Sequence, residues 1–180
     1  MKATEILKQE HENILSVLHC LEKEIEKMRR TGTVQTFKLS QIIDFFQNYA
    51  DKLHHGKEEK ELFTKLIENG MSREICPLAV MFAEHDMGRE KIKTMKEAIG
   101  SMQNGNSDAF ALLCTTMEEY IELLRDHIDK ENCILFPMSD QILKAQDQEY
   151  LSQTFDKSQR EDKAIYEKYH TLSQKLMDSK

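Results

Sequence analysis

The chain has 180 residues, with 25 Lys+Arg against 32 Asp+Glu for a formal charge of −7; 39% of it is hydrophobic and 32% charged. That length suits one soluble domain, residues 1–180, with a real core. The acidic balance and the lack of a Lys/Arg cluster speak against nucleic acid as a partner. No apolar run approaches the ~18 residues of a membrane span, and the mean hydropathy is −0.61. The opening MKATEILKQEHENIL has no signal-peptide core, so a cytoplasmic location is expected.

Six glycines and two prolines exclude collagenous, low-complexity and turn-rich β architectures. Residues 2–30 read as one helix, with Ile6, Ile14, Leu18, Leu21, Ile25 and Met28 at helical spacing and Thr4 as its N-cap; Thr31-Gly32-Thr33 ends it. A second helix runs from about Thr36 to Glu68, carries Leu39, Ile42, Ile43, Phe46, Ala50 and Leu53 on one stripe, and closes at Asn69-Gly70. Ser72 is expected to cap a third helix, broken early by Pro77 and ended by Gln103-Asn104-Gly105-Asn106. Ser107 or Asp108 starts a fourth, which Pro137 disturbs. The tail from Gln148 to Met177 is a fifth, more polar helix, with Tyr150, Phe155, Ile165, Tyr169 and Leu172 as its apolar positions. No stretch alternates with period two. The expected fold is all-α: an antiparallel four-helix bundle over residues 2–138 with an additional C-terminal helix within 139–180. Cys20, Cys76, Cys114 and Cys133 show no CxxC spacing and are expected to be reduced and buried in helices.

An internal repeat selects the chemistry. His54-His55-Gly56-Lys57-Glu58-Glu59-Lys60-Glu61-Leu62-Phe63 and His127-Ile128-Asp129-Lys130-Glu131-Asn132-Cys133-Ile134-Leu135-Phe136 both read HxxxExxxLF. The first helix carries Glu10-His11 and the third Glu84-His85, so a single-His helix followed by a His/Glu helix occurs twice, at an offset of 73 or 74 residues. Helix two offers two i, i+4 pairs. Only His54/Glu58 keeps the Leu-Phe register of helix four, so these two point inward; His55 and Glu59 stand in reserve.

Positions i and i+4 share a helix face, so each HxxxE aims an imidazole and a carboxylate at one point. Four helices thereby converge His11, His54, His85 and His127 with Glu58 and Glu131, the makings of a metal site in a bundle core. The natural arrangement is two iron ions, each held by two His, bridged by Glu58 and Glu131 and by an oxo or hydroxo group from solvent. Spacing alone admits zinc or manganese equally. Two carboxylates leave such a centre positively charged, unlike the four of a ferritin-like site. That favours binding or reduction of O2, peroxide or NO over difficult C–H oxidation. Leu62, Phe63, Leu135 and Phe136 would wall the site; His19 and His170 read as ordinary surface histidines.

Through Glu10-His11, HHGKEEKELF, AEHDMGRE and DHIDKENCILFP, residues from about Thr4 to Pro137 resemble the hemerythrin-like (HHE cation-binding) family. The resemblance implies iron, and its EHD and DHIxxENxxLFP segments are similar to di-iron proteins that repair iron centres after nitrosative stress. Oxygen-carrying hemerythrins place two His four apart in the third helix, whereas His85 has Met81 and Arg89 at those positions. One iron is then a ligand short, with His55, Glu59, Tyr49 or Tyr120 as candidates to complete it. Three functions follow as expectations. The first is a di-iron protein that binds, senses or reduces a diatomic or peroxide ligand, with an electron-donor protein if it turns over. The second is an iron donor for damaged iron–sulfur centres, and the third a metal-free helical scaffold.

Overall fold

The computed structural model describes residues 1–103 and 108–178, and among these no strand occurs. Of the expected Gln103-Asn104-Gly105-Asn106 turn, Gln103 is still helical, and the rest, with a Ser107 start, lies at positions 104–107, outside the described residues. The first rod is α1 (Ala3–Thr31), closed by Gly32 at φ 66°, whose N–H donates to the Met28 carbonyl at 2.8 Å. Its cap is not Thr4. The Glu5 carboxylate accepts the Lys2 N–H at 2.9 Å, while Thr4 is buried as the second residue of the helix and donates its hydroxyl to Asp140 at 2.9 Å.

The second rod runs unbroken from α2 (Thr36–Phe45) through π-helical stretches at Phe46–His55 and Glu58–Leu62 into α3 (Phe63–Glu68). The third, α4 (Leu78–Gln103), begins later than the sequence suggested: residues 72–77 are turns, and a cis Cys76–Pro77 bond precedes the helix. The fourth joins α5 (Asp108–Lys130), a π-helical stretch Glu131–Leu135 and α6 (Phe136–Ile142). Pro137 does not end this rod. It sits in the first turn of α6, after the π-helical stretch has shifted the hydrogen-bond register, where a missing N–H is tolerated.

The tail is two helices, not one: α7 (Ala145–Glu161) and α8 (Lys163–Asp178), parted at Asp162. Both pack along α1, and α8 also against α2. Phe155 and Tyr169 are buried as expected, with Leu151, Tyr166 and Leu176, whereas Tyr150 and Ile165 are exposed. Cys20 and Cys114 are buried, but Cys76 and Cys133 are exposed, and Cys76 lies in the turn before α4 rather than in a helix.

Apolar side chains gather into two separate cores. The larger holds Ile14, Leu18, Phe46, Ala50, Ile92, Leu124 and Ile128; the smaller holds Leu7, Leu62, Phe63, Met81, Leu135, Phe136 and Phe155. Every rod passes from one core to the other, α1 and α4 in one sense along the chain and the second and fourth rods in the opposite sense. The stretch of each rod between the two cores carries the repeated His and Glu. A polar layer thus lies between two apolar slabs.

Candidate metal centre

His11, His54, His55, His85, His127, Glu58 and Glu131 are all buried in this layer. Their ligand atoms form two groups, His11/His54/Glu58/Glu131 and His55/Glu58/His85/His127, each with its atoms within 4.8 Å of one another. Glu58 belongs to both. Its Oε1 lies 3.3 Å from His54 Nε2 and its Oε2 3.6 Å from His85 Nε2, so one carboxylate faces both groups. Glu131 Oε2 lies 3.1 Å from His11 Nε2 and 3.4 Å from His127 Nε2.

The structure brings together all six residues selected from the repeat, and it adds His55. That residue is not in reserve: it occupies the group with His85 and His127 that looked a ligand short. The π-helical backbone explains the addition. On an α-helix, neighbouring residues point about 100° apart, which forces a choice between His54 and His55. The i→i+5 bonding of Phe46–His55 widens the turn and lets both reach the interior. A second π-helical stretch begins at Glu58 and a third at Glu131, the two carboxylates of the centre.

Outer partners orient the rings. His54 Nδ1–H donates to Glu10 at 2.9 Å, His127 Nδ1–H to Glu84 at 3.0 Å, His85 Nδ1–H to Glu59 at 2.6 Å and His11 Nδ1–H to Asn132 at 3.0 Å. With the proton held at Nδ1, the Nε2 lone pair of each ring is left to face the layer. Lys57 in turn pairs with Glu10, and Lys130 with Glu84. Arg89 holds Glu59 at 2.7 Å and Asp51 at 2.8 Å. Sequence reasoning gave Glu10, Glu84, Lys57 and Lys130 no role; Lys57 is buried. The signal was present: in both halves a Glu precedes the single His, and a Lys follows the paired His by three. The expected wall is in place, with Phe136 stacked on His11 at 5.5 Å and Phe63 on His85 at 5.9 Å. His19 is exposed beside Glu22, and His170 is exposed.

The inward atoms are short of partners. His11 Nε2, His54 Nε2 and both oxygens of Glu58 and of Glu131 are buried without a hydrogen bond. Buried polar atoms are ordinarily satisfied, so this set fits cations. Electrostatics agree. Burial and the facing Glu131 push the Glu58 carboxyl well up. Burial also acts to raise Glu131, but His127 and His11 outweigh it and hold that carboxyl down at about 2. Two carboxylates this close resist joint ionisation unless positive charge lies between them. Burial, then His85, pushes His55 down to about 3, and burial with His11 lowers His54, leaving these rings in the neutral form that ligates metal.

Among the described residues no helix is long and apolar enough to cross a membrane. Residues 2–139 match the family model of the Hemerythrin HHE cation binding domain. Three curated relatives are similar, each 34% identical over 87 residues, a stretch that covers 47% of this chain and 39% of the relative. All three carry the name Iron-sulfur cluster repair protein YtfE, from Yersinia pseudotuberculosis serotype IB (strain PB1/+), Yersinia pestis (strain Pestoides F) and Yersinia pseudotuberculosis serotype O:1b (strain IP 31758). The matched stretch thus spans well under half the length of these relatives. No solved structure matches the chain significantly. On the family match over most of its length, the chain belongs to the Hemerythrin HHE cation binding domain family.

Proposed function

We propose that the chain is a cytoplasmic non-haem di-iron protein that binds, senses or reduces O2, peroxide or NO. Its four rods would form a hemerythrin-like antiparallel bundle within one domain, with residues 139–180 as an extension. The observation that carries this reading is Glu58, whose two oxygens face two separate histidine groups in a buried layer of unpartnered donor atoms. His11 and His54 would hold one iron and His55, His85 and His127 the other, with Glu58 and Glu131 between them. Bound iron would supply the electrons and the open coordination position. The chain's residues do the rest: Glu10, Glu59, Glu84 and Asn132 hold protons at the Nδ1 atoms, and the two apolar slabs flank the layer.

Metal content after anaerobic purification without added metal tests the reading. Close to two irons per chain is expected, and stoichiometric metal that never appears, even after reconstitution with Fe(II), overturns it. Multiple turnover with an electron-donor protein would mark an enzyme; reversible stoichiometric ligand binding would mark a carrier or sensor.

A second reading is favoured by the name its curated relatives carry: an iron donor for damaged iron–sulfur centres. It predicts transfer of iron to an apo iron–sulfur protein. Retention of both irons under that challenge counts against it.

A further inference from the structure

A cavity of about 460 Å³ enters the molecule among the second rod, α4 and α5 and reaches His55, His85 and His127; neither His11 nor His54 lines it. Its apolar walls are Phe46, Gly88, Ile92, Tyr120, Leu123 and Leu124. Gly88 is the informative one. It lies in the interior of α4, where glycine is unfavourable, and it is not among the positive-φ glycines, which among the described residues are Gly32 and Gly70. Its backbone therefore does not call for glycine. What it supplies is room: a Cβ at this position would stand 3.7 Å from Tyr120 Cε2, in ordinary contact, and anything longer would enter the cavity.

The internal repeat confirms that the opening is specific to one half. The 74-residue offset places Ile14 where Gly88 stands, and the 73-residue offset places Ile128 where His55 stands. Both isoleucines are 1% exposed, so that side is filled with side chain. Of the charged residues lining the cavity, Asp51 pairs with Arg89, Glu84 with Lys130 and His127, and Lys93 with Glu90, while Lys96 donates to the neutral Gln47 and Glu97 also lines the space. Apolar walls remain as the source of affinity. At about 30 Å³ per water the space is some fifteen water volumes, far more than a diatomic needs and within the usual range of organic-ligand pockets.

We propose that this cavity binds an apolar organic molecule of about a dozen non-hydrogen atoms with an oxygen donor at one end, that end lying against His55, His85 and His127. The proposal deepens the di-iron reading, on which it rests for the ligand's inner end alone; the apolar walls exist without it. Calorimetric titration with 4-phenylbutyrate and with acetate tests it, because the two share a carboxylate and differ in the body. The wild-type iron-loaded protein is expected to bind 4-phenylbutyrate at least about tenfold more tightly than acetate. Gly88→Leu removes that preference while metal content and helicity are retained, and Gly88→Ala keeps it. Leu123→Trp, which fills the space from another wall, gives the same loss as Gly88→Leu and serves where the latter does not fold. Equal affinities for the two carboxylates in the wild type, or a preference that survives both filling variants, overturns the proposal. Failure of the metal centre is separable: metal-free protein that binds 4-phenylbutyrate in a Gly88-dependent way keeps the cavity and removes the iron. Two irons with no preference does the reverse.

Discussion

Replacing Lys57 by Met and, separately, Lys130 by Met makes one chemical change at two positions related by the internal repeat. Each lysine pairs with a glutamate that fixes a histidine ring, Glu10 with His54 and Glu84 with His127. Burial separates them. The Lys57 side chain is 7% exposed and Glu10 10%, whereas Lys130 is 39% exposed. The Lys57 ammonium also lies 5.5 Å from the Phe155 ring centre and 5.4 Å from that of Tyr166. Methionine keeps the packing of the stem and removes the charge. Glu10 would then be a buried carboxylate with one remaining hydrogen bond, at a cost of about 3 kcal/mol, the lower end for a broken buried pair. At position 130 water takes over, and the loss is at most about 1 kcal/mol. For a chain of this size these figures correspond to falls in Tm of roughly 6–12 °C and under about 4 °C. Thermal denaturation followed by circular dichroism, on protein as purified and after chelation, reads the difference. The double variant Lys57→Met/Glu10→Gln should regain much of the loss, because it removes the stranded charge. Equal shifts for the two lysines, or no recovery in the double variant, would refute the burial argument.

Phe136→Ala should cost about 3–5 kcal/mol in urea denaturation and loosen metal retention, since Phe136 is 1% exposed and stacks on His11; an unchanged midpoint with full metal would count against its place in the wall. Gly32→Ala should lower stability by about 1–2 kcal/mol through backbone strain alone, because φ is 66° and nothing lies within 4 Å of an added Cβ; denaturation with an unchanged slope is the check. Asp140 ties the N-terminus to α6 through Lys2 and Thr4; burial acts to raise its carboxyl, but these partners outweigh it and hold the group below its ordinary value. A depressed folded value gives stability that is present above the unfolded value of about 3.9 and is lost as pH falls through the folded one. Asp140→Asn should therefore melt roughly 2–4 °C lower at neutral pH, and the gap should close in strong acid; a gap that persists there would show the loss is not electrostatic.

Three of the four rods were legible because apolar residues recur at helical spacing between punctuating glycines, and Gly32 and Gly70 do adopt positive φ. The start of α4 was not, because Ser72 is a good cap by composition while the turns through Pro77 delay the helix to Leu78. The break at Asp162 carries no Gly or Pro to announce it; α7 and α8 are each docked on α1, and the chain bends between them. At the centre the repeat identified six residues that the fold brings together, since the pattern records symmetry of the layer. His55 and Glu59 were named only as reserves and as two of four candidate ligands, because they have no counterpart in the second half, where Ile128 and Asn132 stand. An α-helical period, moreover, has no room for two adjacent inward histidines. The backbone departs from that period at this place, and π-helical bonding depends on the surroundings more than on the residues themselves.

Each of the two ligand groups draws on both halves of the chain. One combines His11, His54 and Glu58 with Glu131; the other combines His55 and Glu58 with His85 and His127. An ion in either position is therefore a clamp across a long loop, and no segment ending before residue 127 could assemble even the second group. Capture must await the docking of the two helical pairs, which makes it a late, non-local event in folding. The same logic runs backward: parting the pairs would dissolve both positions together, so cargo held here would be surrendered by opening the molecule along its internal seam.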